Sequence, residues 1–269
     1  MTAPAKVWEY RTLIGNLASR DLRSRYKKSV LGWTWSLINP AVTLGIYTVV
    51  FGYFPKGTAP VAGNGTTTSF ALWLFSALVL WNAFSSGINI AMTSFIASGG
   101  LLTRTYFPPE CPVIAGTATV LTQTCVESVI LLGFMVVLGN LGWTTLFLPL
   151  IVILITCFAF GLGMIVSLLN VRYRDVAYLV NVSLQVAFYA TPIVYRIDQI
   201  PAKVGGFSPV TILRLNPLTH FVGAMRSSVY LLRPPTLTNW IVMVVSALLS
   251  VLIGWRFFAK RAPRYIEEI

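Results

Sequence analysis

The sequence predicts an all-α polytopic membrane protein with six transmembrane helices, and three observations carry that prediction. Of its 269 residues, 56% are hydrophobic and only 10% charged, with a mean hydropathy of +0.74, outside the range of soluble domains. Charge-free runs recur at the length a helix needs to cross hydrocarbon, about 20 residues at 1.5 Å rise each. The Lys and Arg behind the net charge of +12 and the pI near 10.0 fall between those runs, where they meet anionic lipid headgroups. No soluble stretch is left to form a nucleic-acid-binding domain. One transmembrane domain is expected over residues 1–269: a segment at 1–32, six spans within 33–257, a re-entrant segment at about 197–232, and a tail at 258–269.

The first element is a basic helix. Val7, Tyr10, Ile14 and Leu17, then Ala18, Leu22 and Tyr26, recur at three- and four-residue spacing, whereas Arg20, Arg23 and Lys27 share another face and Asp21 can pair with Arg25. An amphipathic helix in the interface fits this pattern, as does a basic stop signal that only sets orientation. A cleavable leader is not expected, since the first uncharged run follows this basic segment and is long enough to span.

Residues 29–55 contain no charge and give a first span near 33–54. Gly57 to Thr103 is again uncharged, and "FALWLFSALVLWNAFSSGINIAM" (70–92) is the second span. Cys111 to Val171 carries Glu127 as its only charge. That run is too long for one helix, and "GNLGWTT" at 139–145 divides it into spans near 112–138 and 146–169. The fifth lies near 176–195 and the sixth near 236–257. With the N-terminus inside, cytoplasmic segments hold fourteen Lys and Arg and external ones six, so the positive-inside rule places both termini in the cytoplasm.

Two connections are more than loops. "ASGGLLTRTYFPP" (97–109) opens at a Gly-Gly break, allows a short helix over Leu101 to Phe107, and stops at Pro108-Pro109. Such a helix either packs on its own bundle or carries force to another subunit. The segment 196–235 is too apolar for a solvated linker, and Pro209 and Pro217 divide it into pieces too short to span. Half-helices dipping from the external face fit, with Asn216-Pro217 as the elbow, because non-helical backbone survives at membrane depth only against protein or a water-filled cavity. An amphipathic surface helix is the other reading.

Four stretches, in this order, resemble the permeases of the type-2 ABC exporter family, especially the branch exporting polysaccharides and teichoic acids. "RYKKSVLGWTWSLINP" (25–40) resembles the entry to that family's first span, and "GLLTRTYFPPE" (100–110) its coupling-helix loop. "LNVRYRDVAYLVNVSLQVAFYATPIVY" (169–195) resembles its second cytoplasmic loop and fifth span, and "LNPLTHFVGAMRSSVY" (215–230) its external re-entrant segment. The resemblance covers nearly the whole chain. It implies a homodimer in the bacterial cytoplasmic (inner) membrane, two ATP-binding cassette subunits, and a lipid-linked polysaccharide substrate such as an O-antigen or mycobacterial galactan. No G-x-x-x-x-G-K-[ST] stretch is present, so ATP and Mg are expected on the partner subunit, with no cofactor or metal on this chain. Drug or small-molecule efflux within the same superfamily is the alternative, and a membrane-embedded enzyme a distant one, lacking an acid, base or nucleophile pair.

Residue roles follow. Leu101, Arg104, Tyr106 and Phe107 are expected to meet the ATPase. Arg23, Arg25, Lys27 and Lys28 either gather the substrate's pyrophosphate or attract anionic lipid. Of the rings in the first two spans, Tyr47, Phe51, Trp81 and Phe84 are the pore-lining candidates, because sugar C–H faces stack on aromatic rings; Trp33, Trp35 and Trp73 fit an interfacial belt equally well. Asn216, Pro217, His220 and Phe221 form the expected external gate. Glu127, alone in its span, is expected to be hydrogen-bonded or functional, with Thr124 and Ser128 adjacent and Gln185 as a donor. Cys111, Cys125 and Cys157 fit no metal or redox spacing and read as small core hydrophobes.

Overall fold

The computed structural model describes residues 7–26, 29, 31–53, 59–102, 105, 107–201 and 208–265, and among them no strand occurs. Nine helices among these residues carry the architecture: α1 (Arg11–Tyr26), α2 (Trp35–Tyr53), α3 (Phe70–Ala97), α4 (Glu110–Val137), α5 (Leu148–Arg172), α6 (Val176–Tyr189), α7 (Pro209–Leu215), α8 (Pro217–Met225) and α9 (Leu237–Tyr265). Segments Phe70–Leu101, Glu110–Val137, Trp143–Arg172 and Leu237–Pro263 are long and apolar enough to cross a membrane. Two further apolar helices, Trp35–Val50 and Val176–Tyr189, are shorter.

The expected fifth span, 176–195, is cut short. Pro192 has no amide hydrogen to offer and biases the residue before it away from helical geometry. The α6 helix therefore ends at Tyr189, where Thr191 turns its hydroxyl back to donate to the Ala187 carbonyl at 2.8 Å. Fourteen residues at 1.5 Å rise reach only about 21 Å.

A central stack of α3, α5 and α9 forms the frame, and it is built from missing side chains. A Cβ on Gly161 would lie 2.2 Å from the backbone carbon of Ser250, and one on Gly254 2.1 Å from the Gly161 carbonyl oxygen. Across the α3–α5 contact, a Cβ on Gly87 would sit 2.8 Å from Ala159, and one on Gly163 2.5 Å from Ala91. In lipid, where apolar burial drives helices together weakly, small residues of this kind let backbones touch and dispersion do the work. Leu80, Phe75, Ile151, Ile155 and Met243 fill the remaining space of the main core.

A second core lies at the end of the bundle that carries α1. There Val7, Phe95, Phe107, Cys111, Met164 and Phe258 pack together, with Phe95 and Phe258 edge-to-face at 5.3 Å. Helix α1 docks through Leu17 and Ala18 against Ala115 of α4. It is thus seated on the protein's own bundle along its apolar face. Asp21 accepts from the Arg20 guanidinium, at 3.2 and 3.3 Å, whereas Arg25, the partner expected for it, has a side chain outside the described residues.

The opposite end is closed by side chains that join three loops. Asn140 donates to the carbonyls of Val229 and Tyr230, both at 3.0 Å, and accepts from the Asn64 amide at 3.0 Å. Asn64 in turn donates to the Leu138 carbonyl, and Thr144 to that of Ser228. The Tyr230 hydroxyl donates to the Pro60 carbonyl and accepts from the Ser69 amide. Residues Arg226–Tyr230 form a π-helical turn closed by the Leu231 amide donating to the Arg226 carbonyl at 2.9 Å, an i to i+5 bond of the kind found at functional sites.

Of the cysteines, Cys111 is buried as expected and Cys157 half-buried, but Cys125 is exposed on α4.

Candidate functional site

Helices α7 and α8 form a helix–elbow–helix unit. Pro209 and Pro217 each stand in a first turn, where their missing amide hydrogen costs nothing. Asn216 leaves helical geometry, with φ −75° and ψ 117°, and its side-chain oxygen caps α8 by accepting from the Leu218 amide at 3.0 Å. The same side chain donates to the Ala190 carbonyl at 3.1 Å and the Thr191 hydroxyl at 2.9 Å. The elbow is thereby tied to the broken end of α6. No residue of α7 is buried, whereas Leu218, Phe221, Val222, Ala224 and Met225 of α8 are.

His220 stands between two partners. Its Nε2 lies 2.9 Å from the Arg214 carbonyl, which can only accept, so that nitrogen carries a proton. Its Nδ1 is 3.0 Å from the Asn239 side-chain amide at the start of α9. Asn216, Pro217, His220 and Phe221 stand together at the elbow and the first turns of α8. Their roles differ, however: Phe221 is fully buried and stacks on Phe158, 5.9 Å between centroids.

Sequence reasoning did not single out Arg226. It is only 7% exposed, and it donates to the carbonyls of Trp73 (3.3 Å), Pro192 (2.6 Å) and Ile193 (2.6 Å). Its guanidinium carbon lies 3.2 Å from the centroid of the Trp73 ring, which adds a cation–π contact. Trp73, a belt candidate by sequence, is in fact buried beneath this arginine. The only legible signal was a charge closing an otherwise apolar run that begins at Pro217.

A cleft of about 620 Å³ opens beside Arg226, between α8 and the 196–200 segment, with Arg196, Arg214, Asp198 and Ser227 also on its wall. Arg196 binds Asp198 through two hydrogen bonds, one of them from Nε at 2.9 Å. That hydrogen bond, more than the arginine's charge alone, holds the Asp198 carboxyl below its usual value.

The aromatic candidates separate. Tyr47 and Trp81 are half-buried where α2, α3 and α6 meet, and Trp81 is edge-on to Phe188 at 5.3 Å. Phe84 is buried and stacks on Phe158 at 5.4 Å, so it lines no opening in this arrangement and serves the core instead. The side chain of Phe51 lies outside the described residues.

At the α1 end, a cleft of about 630 Å³ is lined by Asn16, Ser19, Arg20, Arg23 and Ser24. Lys27, Lys28 and the side chain of Arg25 lie outside the described residues, as do Arg104 and Tyr106. Among the described residues the loop helix is Gly99–Leu102, and neither Thr105 nor Phe107 is helical. Phe107, 4% exposed, packs in the second core with Phe95 and Val113. It anchors the loop and is not free to meet a partner; Leu101 is half-buried.

Glu127 is buried in α4 and accepts from the Asn82 side-chain amide of α3 at 3.2 Å, with Gln123 as a second donor. Gln185, the donor expected from α6, is exposed on a different helix.

The sequence profile of the family described as ABC-2 type transporter matches residues 12–230. Over 98% of this chain and 98% of the relative, the chain is 26% identical to the O-antigen export system permease protein RfbA of Myxococcus xanthus. It is 29% identical to an O-antigen export system permease protein RfbA of Klebsiella pneumoniae, over 93% of this chain and 92% of the relative. The polysialic acid transport protein KpsM of Escherichia coli is 25% identical over 78% of each chain.

Proposed function

Because the chain belongs to the ABC-2 type transporter family, we propose that it is the membrane permease of a polysaccharide exporter, driven by ATP hydrolysed on a separate subunit. The carrying observation is end-to-end similarity to O-antigen export permeases, which spans every helix of the bundle. The protein is a multi-pass component of the bacterial inner membrane. Its cargo is a lipid-linked polysaccharide of the O-antigen or cell-wall galactan class.

In this reading both termini face the cytoplasm and α2 and α6 complete a set of six spans. Two copies assemble, and the conduit runs between them. The sparse cover of α2 and α6 supports this: Leu184 is the one buried residue of α6, and Val42, Ile46 and Val49 of α2 are exposed. Tyr47 and Trp81 are the rings best placed to meet a passing glycan. Two ATP-binding subunits dock at the α1 end against the 99–107 loop, with Leu101, Arg104 and Tyr106 as the contact and Phe107 fixing the loop from within. Arg23, with Arg25, Lys27 and Lys28, collects the pyrophosphate of the cargo lipid through charge-assisted hydrogen bonds. The α7–α8 unit gates the exit.

The test is co-expression with candidate ATPases, purification of the complex, and an ATPase assay with and without lipid-linked glycan. Stimulation by the glycan, lost with Arg104→Glu together with ATPase co-purification, is the expected result. Transport by the isolated chain, or an amino terminus accessible from outside intact cells, would overturn the proposal.

A further inference from the structure

The cleft beside Arg226 has an unbalanced wall. Arg196, Arg214 and Arg226 line it, Asp198 is the only carboxylate among its lining residues, and that carboxylate is taken by Arg196. Among the described residues no carboxylate forms an ion pair with Arg226. An arginine stays charged even when buried, and a buried charge is costly unless it is paired or richly hydrogen-bonded. Arg226 is held by three carbonyls and an indole face. Those three bonds use three of the five N–H groups a guanidinium offers, and the residue itself forms part of the cleft wall.

The volume is informative too. At about 620 Å³ the cleft lies within the range of small-molecule sites, roughly 300–1,000 Å³, and is larger than a single ion requires. Apolar walls from Pro60, Val222 and Leu231 stand beside the arginines and the Ser227 hydroxyl. An anionic head on an apolar or sugar-bearing body suits such a lining. Guanidinium forks match phosphate oxygens two at a time.

We propose that this cleft binds a phosphate or diphosphate group of a lipid, with Arg214 and Arg196 closing on the anion and Arg226 supplying fixed positive charge from beneath. The assignment stands on the cleft alone and does not depend on the direction of transport or on the cargo. Two sources present this chemistry at headgroup depth: the diphosphate of a polyprenyl-linked molecule and the headgroup of a resident phospholipid.

The experiment uses the full chain purified in an uncharged maltoside detergent, with inorganic pyrophosphate titrated by calorimetry at low salt. Saturable binding is expected, weakened at least tenfold by the double substitution Arg196→Gln/Arg214→Gln. Asp198→Asn should tighten it by about two- to fivefold, because it frees Arg196 from its competing carboxylate. Arg233→Gln, an exposed arginine that does not line the cleft, should leave it unchanged. Arg226 holds the fold together, so the substitutions are confined to the two exposed-side arginines and leave it in place. Competition then identifies the source: displacement of pyrophosphate by geranyl diphosphate at lower concentration than by short-chain phosphatidylglycerol points to the polyprenyl lipid, and the reverse order to the phospholipid. No saturable binding at millimolar pyrophosphate, or binding equally strong in the double variant, overturns the proposal.

Discussion

Replacing Gly161 with alanine tests the packing of the frame most directly. The new methyl carbon would stand 2.2 Å from the Ser250 carbonyl carbon, 2.3 Å from its oxygen and 2.5 Å from the Val251 nitrogen. All three are backbone atoms, so no side chain can rotate away. Restoring ordinary contact near 3.5 Å requires α5 and α9 to separate by roughly 1.3 Å. Overpacking of this kind costs about 1–3 kcal/mol, and with backbone on the far side the upper end applies. Against it, alanine gains about 1 kcal/mol over glycine in a helix interior. The net loss is then about 1–2 kcal/mol, or a melting temperature lower by roughly 2–8 °C for a chain near this size. Gly133→Ala is the control, since nothing lies within 4 Å of its Cβ position and only the propensity gain remains. Both variants, purified in the same detergent, are melted and followed by fluorescence-detected size exclusion. If Gly161→Ala melts at or above the parent temperature, or Gly133→Ala falls as far, the close-approach account of the frame is wrong.

Three further outcomes are expected. Asn140→Ala removes the donor to two carbonyls and the acceptor of the Asn64 amide, so the same melt should show a loss of about 1–3 kcal/mol. Phe107→Ala empties a fully packed position in the second core and should cost about 3–5 kcal/mol, read as a lower yield of monodisperse protein, whereas Phe107→Leu retains most of it. Asp198 has a folded value below its unfolded one, so its contribution is present above the unfolded value and fades as pH falls through the folded one. Because the pair is exposed, Asp198→Asn should shift melting by less than about a degree at pH 7, and the difference from the parent should shrink as the medium is acidified through the folded value on a pH series of melts.

The long apolar helices were legible because charge is the one thing hydrocarbon does not tolerate, and its absence over 57–103 and, Glu127 apart, 111–171 is a local property of the chain. The elbow at Asn216-Pro217 was legible for a similar reason, since proline chemistry acts on its immediate neighbours. Other features depend on partners far along the chain. Arg226 meets Trp73 across 153 positions and Asn140 meets Val229 across 89, and nothing near either residue announces the encounter. The short α6 was missed because the apolar run continues through Thr191-Pro192 while the hydrogen-bond ladder does not. Phe107 looked exposed because it sits in a loop beside charged residues, yet its ring joins a core built by Phe95, Met164 and Phe258, residues far from it in sequence or on other helices. The helix glycines carry no pattern that separates Gly161 of α5, pressed against backbone, from Gly133 of α4, which faces open space.

The bareness of α6 has a mechanical corollary. Tyr178, Leu179, Val182, Val186 and Tyr189 all project away from the bundle, and swapping protein neighbours for lipid tails forfeits little, since both are equally apolar. Along its shaft the rod is held mainly by Leu184 and by Phe188 against Trp81. Its polar ties lie at the tip, where Asn216 grips the Ala190 carbonyl and the Thr191 hydroxyl. Just beyond it, Arg226 grips the carbonyls of Pro192 and Ile193, so the rod is moored at one end and loosely bedded along its length.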